Sequence, residues 1–168
     1  MGILSGDPKN EPMHYGEVFG IWTAVMTTKG KVAGYQALKN HVGDEDLKKL
    51  VEEAIRQGQQ ELNEMEALLK ENGVGLPPTP PDRPAAELND IPTGARFMDQ
   101  EVAAMLSADT AASLVACSSI MGESIREDIG MMFGSFHTQK AAFGVKVLRL
   151  NKEKGWLIPP PLHSFKAE

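Results

Sequence analysis

Proline placement constrains this chain more than any other feature. The 11 prolines stand at 8, 12, 77, 78, 80, 81, 84, 92, 159, 160 and 161. None falls between Pro12 and Pro77 or between Pro92 and Pro159. A proline inside a helix removes a backbone hydrogen bond and clashes with the preceding turn, at a cost of about 3 kcal/mol. The two free windows are therefore where helices can run, and each is long enough for a pair.

Within the first window, Val18, Ile21, Trp22, Val25, Val32 and Tyr35 recur at helical spacing and predict a helix over about 13–42. Gly43 ends it, and Asp44 caps a second helix over about 45–72, with Gly73 at its end. Its stripe is Leu47, Leu50, Val51, Ala54, Leu62, Met65 and Leu69. In the second window a helix over about 100–121 follows Asp99 as N-cap and stops at Gly122. Ser124 and Glu127 have capping-box spacing and open a fourth helix over about 124–154, stopped by Gly155. Its expected core face runs through Ile125, Ile129, Met132, Phe136, Gln139, Phe143 and Leu150.

Short connections make each pair antiparallel. The segment 73–98 between the pairs is rich in proline. A 28-residue helix is about 42 Å long, a distance that about 13 extended residues cover. The expected fold is all-α: a ferritin-like four-helix bundle in one domain, 1–168, of two antiparallel hairpins joined by a long crossover between the second and third helices. Residues 155–168 form a C-terminal tail.

Charge and cysteine content narrow the function classes. Lys and Arg number 17 and Asp and Glu 23, for a net charge of −6, so the basic footprint of a nucleic-acid or anionic-membrane binder is missing. Residues 1–12 lack the basic start and apolar run of a secretory signal. The stretch Val102 to Gly122 is apolar with Asp109 at its middle. It reads as a buried helix of a soluble bundle, because a central Asp costs about 2.5–3.5 kcal/mol on membrane insertion. A cytoplasmic location follows. The single cysteine, Cys117, excludes internal disulfides and cysteine-rich zinc sites, and reads as an inert buried thiol.

Three glycine pairs have a spacing of four: Gly16/Gly20, Gly30/Gly34 and Gly130/Gly134. Each pair lies on one helix face, where backbones can approach closely. Tight packing within the bundle and a self-association face both fit, the latter giving a homo-oligomer. Trp156 and Leu157, just before three prolines, extend the same alternatives: packing back on the bundle, or docking on a neighbouring subunit. Gly58 and Gly34 leave space between helices that a small molecule could use.

Aligning the helices by their midpoints brings polar residues to one level: Lys29, Asp109, Ser113, His137 and Gln139, with Lys140 alongside. A buried carboxylate needs a partner, so Asp109 is expected to meet Lys29, Lys140, His137 or Gln139. Ferritin-like di-metal sites lie at this level and need a Glu from each of two helices and Glu-x-x-His from each of the others. The only Glu-x-x-His is Glu11 to His14, at a helix start. Leu38, Gly134 and Pro160 stand three before His41, His137 and His163. A structural polar layer is the expected reading, with no metal, cofactor or catalytic residue; one ion between Asp109 and His137 is the alternative. His14 with Glu17, and Glu52, Glu53, Glu61, Glu64 and Glu71 along the second helix, read as solvated surface. His41 reads as a partner for the first helix's dipole.

The segments GILSGDPKNEPMHYGEVF, GDEDLKKL, GVGLPPTPPDRP, IPTGARF, SIREDIGMMFG and KEKGWLIPPPLH resemble, over nearly the whole chain, a family of ferritin-like helical proteins. That family is found chiefly in spore-forming bacilli and is related to spore coat protein F. The resemblance implies a non-catalytic structural or interaction protein, with spore coat proteins or further copies as partners, assembled onto the coat from the cytoplasm. It carries no catalytic residues. A metal-binding redox or storage protein and a small-molecule binder are the alternatives.

Overall fold

The computed structural model describes residues 11–163; the readings of residues 1–10 and of the last five residues lie outside them. The described residues form four α-helices: α1 (Tyr15–Lys39), α2 (Glu45–Glu71), α3 (Asp99–Glu123) and α4 (Glu127–Glu153). Two single 3-10 turns, Leu88–Asp90 and Thr93–Ala95, lie between α2 and α3. No strand occurs among the described residues.

Among the described residues two glycines have positive φ, Gly73 and Gly155, both at 71°, and they end α2 and α4 in the same way. After α2, Val74 N donates to Leu69 O (2.9 Å) and Gly73 N to Lys70 O (3.0 Å). After α4, Trp156 N donates to Asn151 O (2.9 Å) and Gly155 N to Lys152 O (3.3 Å). These paired bonds satisfy the last carbonyls and turn an apolar residue back onto the bundle. Trp156 accordingly packs on the core, whereas Ile158 and Leu162 are exposed.

Other boundaries differ from the sequence reading. Gly122 is inside α3, not at its end. Ser124 is the C-cap of α3, its hydroxyl donating to Ile120 O at 2.6 Å, so it does not open α4. The N-cap of α4 is Arg126, and Ile125, outside the helix, is exposed. Met98, not Asp99, caps α3; Asp99 instead accepts from Gly43 N across the bundle end (2.8 Å). Asp44 does cap α2, accepting from Asp46 N and Leu47 N.

Contacts at the ends fix the helix directions. The start of α3 lies at the end of α1, where Phe97 N donates to His41 Nδ1. The end of α3 lies at the start of α1, where His14 meets Glu123 O (3.1 Å). Thus α1 and α4 run one way and α2 and α3 the other. The segment from α2 to α3 is bonded along the outside of α1. Trp22 Nε1 donates to Gly75 O, Lys29 Nζ to Pro77 O, Gln36 Nε2 to Asp82, and Asn40 Nδ2 to Pro84 O.

The core is in two halves. Val42, Leu47, Val51, Leu106, Phe143, Val147 and their neighbours fill one. Ile21, Val25, Met65, Leu69, Ile120, Phe133 and Phe136 fill the other. Helices α1 and α2 close tightly where Gly58 faces Val32, since a Cβ at Gly58 would lie 2.7 Å from Val32 Cγ2. Gly58 therefore has no room for a side chain towards Val32, and Gly34 faces outward with nothing within 4 Å.

Candidate functional site

Between the two core halves lies a polar layer built from all four helices. Tyr35 Oη donates to Asp109 Oδ2 (2.9 Å), linking α1 to α3. Lys31 Nζ donates to Ser113 Oγ (2.8 Å) and Asp109 O (3.3 Å), and stands 3.6 Å from Asp109 Oδ1. Lys140 Nζ, from α4, holds both oxygens of Glu61, from α2, at 2.5 and 2.7 Å. Burial first, and Asp109 second, push the Tyr35 hydroxyl far above its ordinary value, so it stays a donor. The Glu61 carboxylate is almost fully buried, which corrects its reading as a solvated face; burial is tolerated because the charge is paired.

Asp109 and Ser113 thus lie in the layer, but with other partners than those expected. Lys29 is buried on the opposite side of α1, donating to Pro77 O (2.8 Å) and pairing with Glu66 (2.9 Å). Gln139 donates to Ser135 one turn back on α4. His137 is partly exposed and lines neither cavity at this level. Lys31, Tyr35 and Glu61 are the residues that the midpoint alignment missed.

The layer opens into two spaces. One is a small cavity of about 50 Å³ between Tyr35, Ala54, Gly58, Thr110 and Phe143. The other is a groove of about 490 Å³ between α1 and α3. Its rims carry Gly20, Thr23, Ala112 and Ala116; its floor is Met65, Cys117, Ile120, Phe133 and Phe136. Burial pushes the Cys117 thiol up, so it presents a neutral sulfur. Among the described residues no group of three or more His, Cys, Asp and Glu side chains could hold a metal ion.

Within the chain the glycines of each pair have different surroundings. A Cβ at Gly16 would meet the molecule's own His14 ring, at Gly20 Ile120 (3.4 Å), and at Gly134 Met121 (3.6 Å). Gly30, Gly34 and Gly130 have nothing within 4 Å. The outward surface that does stand out is on α3. Ala104, Ala108, Ala111, Val115, Ser118 and Gly122 are all exposed, at alternating spacings of four and three. By length and composition α3 could cross a membrane, with mean hydropathy 1.3 over its most apolar window. Only 11% of that window is buried, so the expectation of a buried helix is corrected. Leu157 is the borderline case in the tail, at 37% exposure.

A second polar cluster lies at the bundle end, and in it Glu17, expected with His14 to be solvated, is not. Glu17 is buried (2% exposed). One oxygen accepts from Ile125 N (2.9 Å) and Arg126 N (3.0 Å), the other from His14 N (3.1 Å). It therefore serves the N-termini of α1 and α4 together. Arg126 reaches Glu11 O, Asn72 Oδ1 and both oxygens of Asp128. His14, three residues before Glu17, accepts from Gly16 N as the N-cap of α1. A helix start with Glu at its third position is a capping-box pattern, and it is the signal that could have found Glu17.

A family profile described as "Protein of unknown function (DUF3231)" matches residues 1–168. The chain belongs to the DUF3231 family. The uncharacterised protein YvdQ of Bacillus subtilis (strain 168) is 63% identical over 166 residues, spanning 99% of this chain and 98% of that one. A crystal structure described as a "putative spore coat protein" from Bacillus halodurans C-125 is 59% identical, with a TM-score of 0.93. It covers 95% of this chain and all of its own. Beyond these DUF3231 relatives, a conserved hypothetical protein of Mycobacterium tuberculosis aligns with a TM-score of 0.64 at 13% identity, over 80% of this chain and 96% of its own. That likeness shows a shared helical fold.

Proposed function

We propose that this chain is a non-catalytic structural or interaction protein of the spore coat, made in the cytoplasm, which works by presenting the outward face of α3. The carrying observation is the uncharged stripe Ala104, Ala108, Ala111, Val115, Ser118 and Gly122. Its alternating spacing is that of a helix–helix seam, and its small side chains allow close approach. An exposed face of small, uncharged residues fits a contact site. The description of the Bacillus halodurans relative supports the coat as the setting. The chain is read as one bundle of ferritin-like arrangement with 73–98 as its crossover, because that segment is bonded along α1 and α2 runs parallel to α3. The partner is another coat component or a second copy.

Val115→Glu places a charge in the stripe at a position 71% exposed in the free chain. The folded variant is expected to be lost from extracted coats of sporulating cells while the parent chain is retained. Equal retention of both would sink this reading.

A further inference from the structure

The groove between α1 and α3 has no role in the stripe's contacts, which lie on the outer side of α3. Its volume, about 490 Å³, falls within the range of about 300–1,000 Å³ typical of small-molecule sites. Small residues on both rims keep it open, and its floor is apolar. At its inner end stand two cations, Lys31 and Lys140, and two anions, Asp109 and Glu61. They are paired, Lys31 with Asp109 and Lys140 with Glu61, so the inner end is electrically balanced. The one further charged lining residue, Glu123, is exposed and sits at the opposite end.

That balance selects the ligand. A charged headgroup arriving at the inner end would be a fifth charge with no partner, and desolvating it is costly. A hydroxyl or carbonyl group carries no such cost. Hydrogen-bonding capacity for it is in place: the Ser113 hydroxyl accepts from Lys31 and retains its own proton to donate, and Thr28 lines the same space. We propose that the α1–α3 groove binds an uncharged amphiphile, an alkyl or aryl body with one hydroxyl or carbonyl head. The body lies over Met65, Phe133 and Phe136, and the head lies at Lys31, Ser113 and Thr28.

The test uses three probes with the same tail: 1-octanol, octanoate and octylammonium. Each is titrated into the full chain carrying ¹³C-methyl methionine, with the Met65 methyl followed by NMR. Octanol is expected to give a saturable shift, with a Kd lower by about tenfold or more than either charged probe. Ala116→Trp fills the rim at an exposed position and should abolish that shift without changing the circular dichroism. Asp109→Asn leaves the inner end with one net positive charge and should move the preference towards octanoate. Absence of saturation by all three probes, including through occupation of the groove by a second copy, overturns the proposal. So does a charged probe that binds the parent chain as tightly as octanol, or octanol binding that survives Ala116→Trp.

Discussion

Two residues show how position decides the effect of a small change. At Gly58 an added methyl lies 2.7 Å from Val32 Cγ2. Val32 is buried and β-branched, so it cannot swing aside within a helix. At Gly30, also helical, an added methyl meets nothing within 4 Å. Replacing glycine by alanine in a helix gains about 0.8–1 kcal/mol, while overpacking costs about 1–3 kcal/mol. Gly58→Ala should therefore destabilise the chain and Gly30→Ala should stabilise it by up to about 1 kcal/mol, as urea midpoints would show. Glu17 belongs to the same scale. Its buried carboxylate satisfies three backbone N–H groups, and Glu17→Gln turns an amide donor towards some of them. A loss of about 2–3 kcal/mol is expected from the unfolding free energy, and an unchanged midpoint would refute the clamp.

At the scale of elements, the start of α4 rests on charge. Hydrogen bonding to Arg126 holds the Asp128 carboxyl below its ordinary range, and Asp128 raises Arg126 in return. A carboxyl lowered by folding contributes stability at neutral pH, which is lost as pH falls through its folded pKa, below the ordinary 3.8. The stability difference between the parent chain and Asp128→Asn should accordingly hold steady above about pH 5 and shrink as pH falls past 3.8. The same element shows what periodicity conveys and what it does not. Proline-free windows and Gly73 and Gly155 located the helices, because backbone chemistry forbids alternatives there. The start of α4 was misplaced because Ser124 and Glu127 have cap spacing, yet the capping carboxylate comes from Glu17, 108 residues earlier than Ile125. No local pattern carries a cap supplied from another helix.

For the whole molecule, the level of the polar layer was legible and its membership was not. Midpoint alignment brings Asp109 and Ser113 to the layer but puts Lys29 where Lys31 stands. Two residues along a helix turn the side chain by about 200°, so that error reverses the face. Glu61 escaped notice because a glutamate on an acidic helix looks solvated until the facing Lys140 is known. The exposed side of α3 was hidden for the opposite reason: an apolar sequence is the same whether its partner is in the chain or outside it.

The two ends of the bundle are held by different means. At one, Glu17 and Arg126 are buried. At the other, Lys154 bridges Asp44 (2.6 Å) and Asp46 (3.2 Å) in contact with solvent, and salt screens such exposed pairs far more than buried ones. Raising ionic strength should speed amide exchange around Asp44 and Lys154 while leaving that around Glu17 and Ile125 unchanged. The bundle then has a polarity like that of a clothes-peg: one end is a pivot that added salt leaves in place, and the other is a jaw whose grip is set by the surrounding ions.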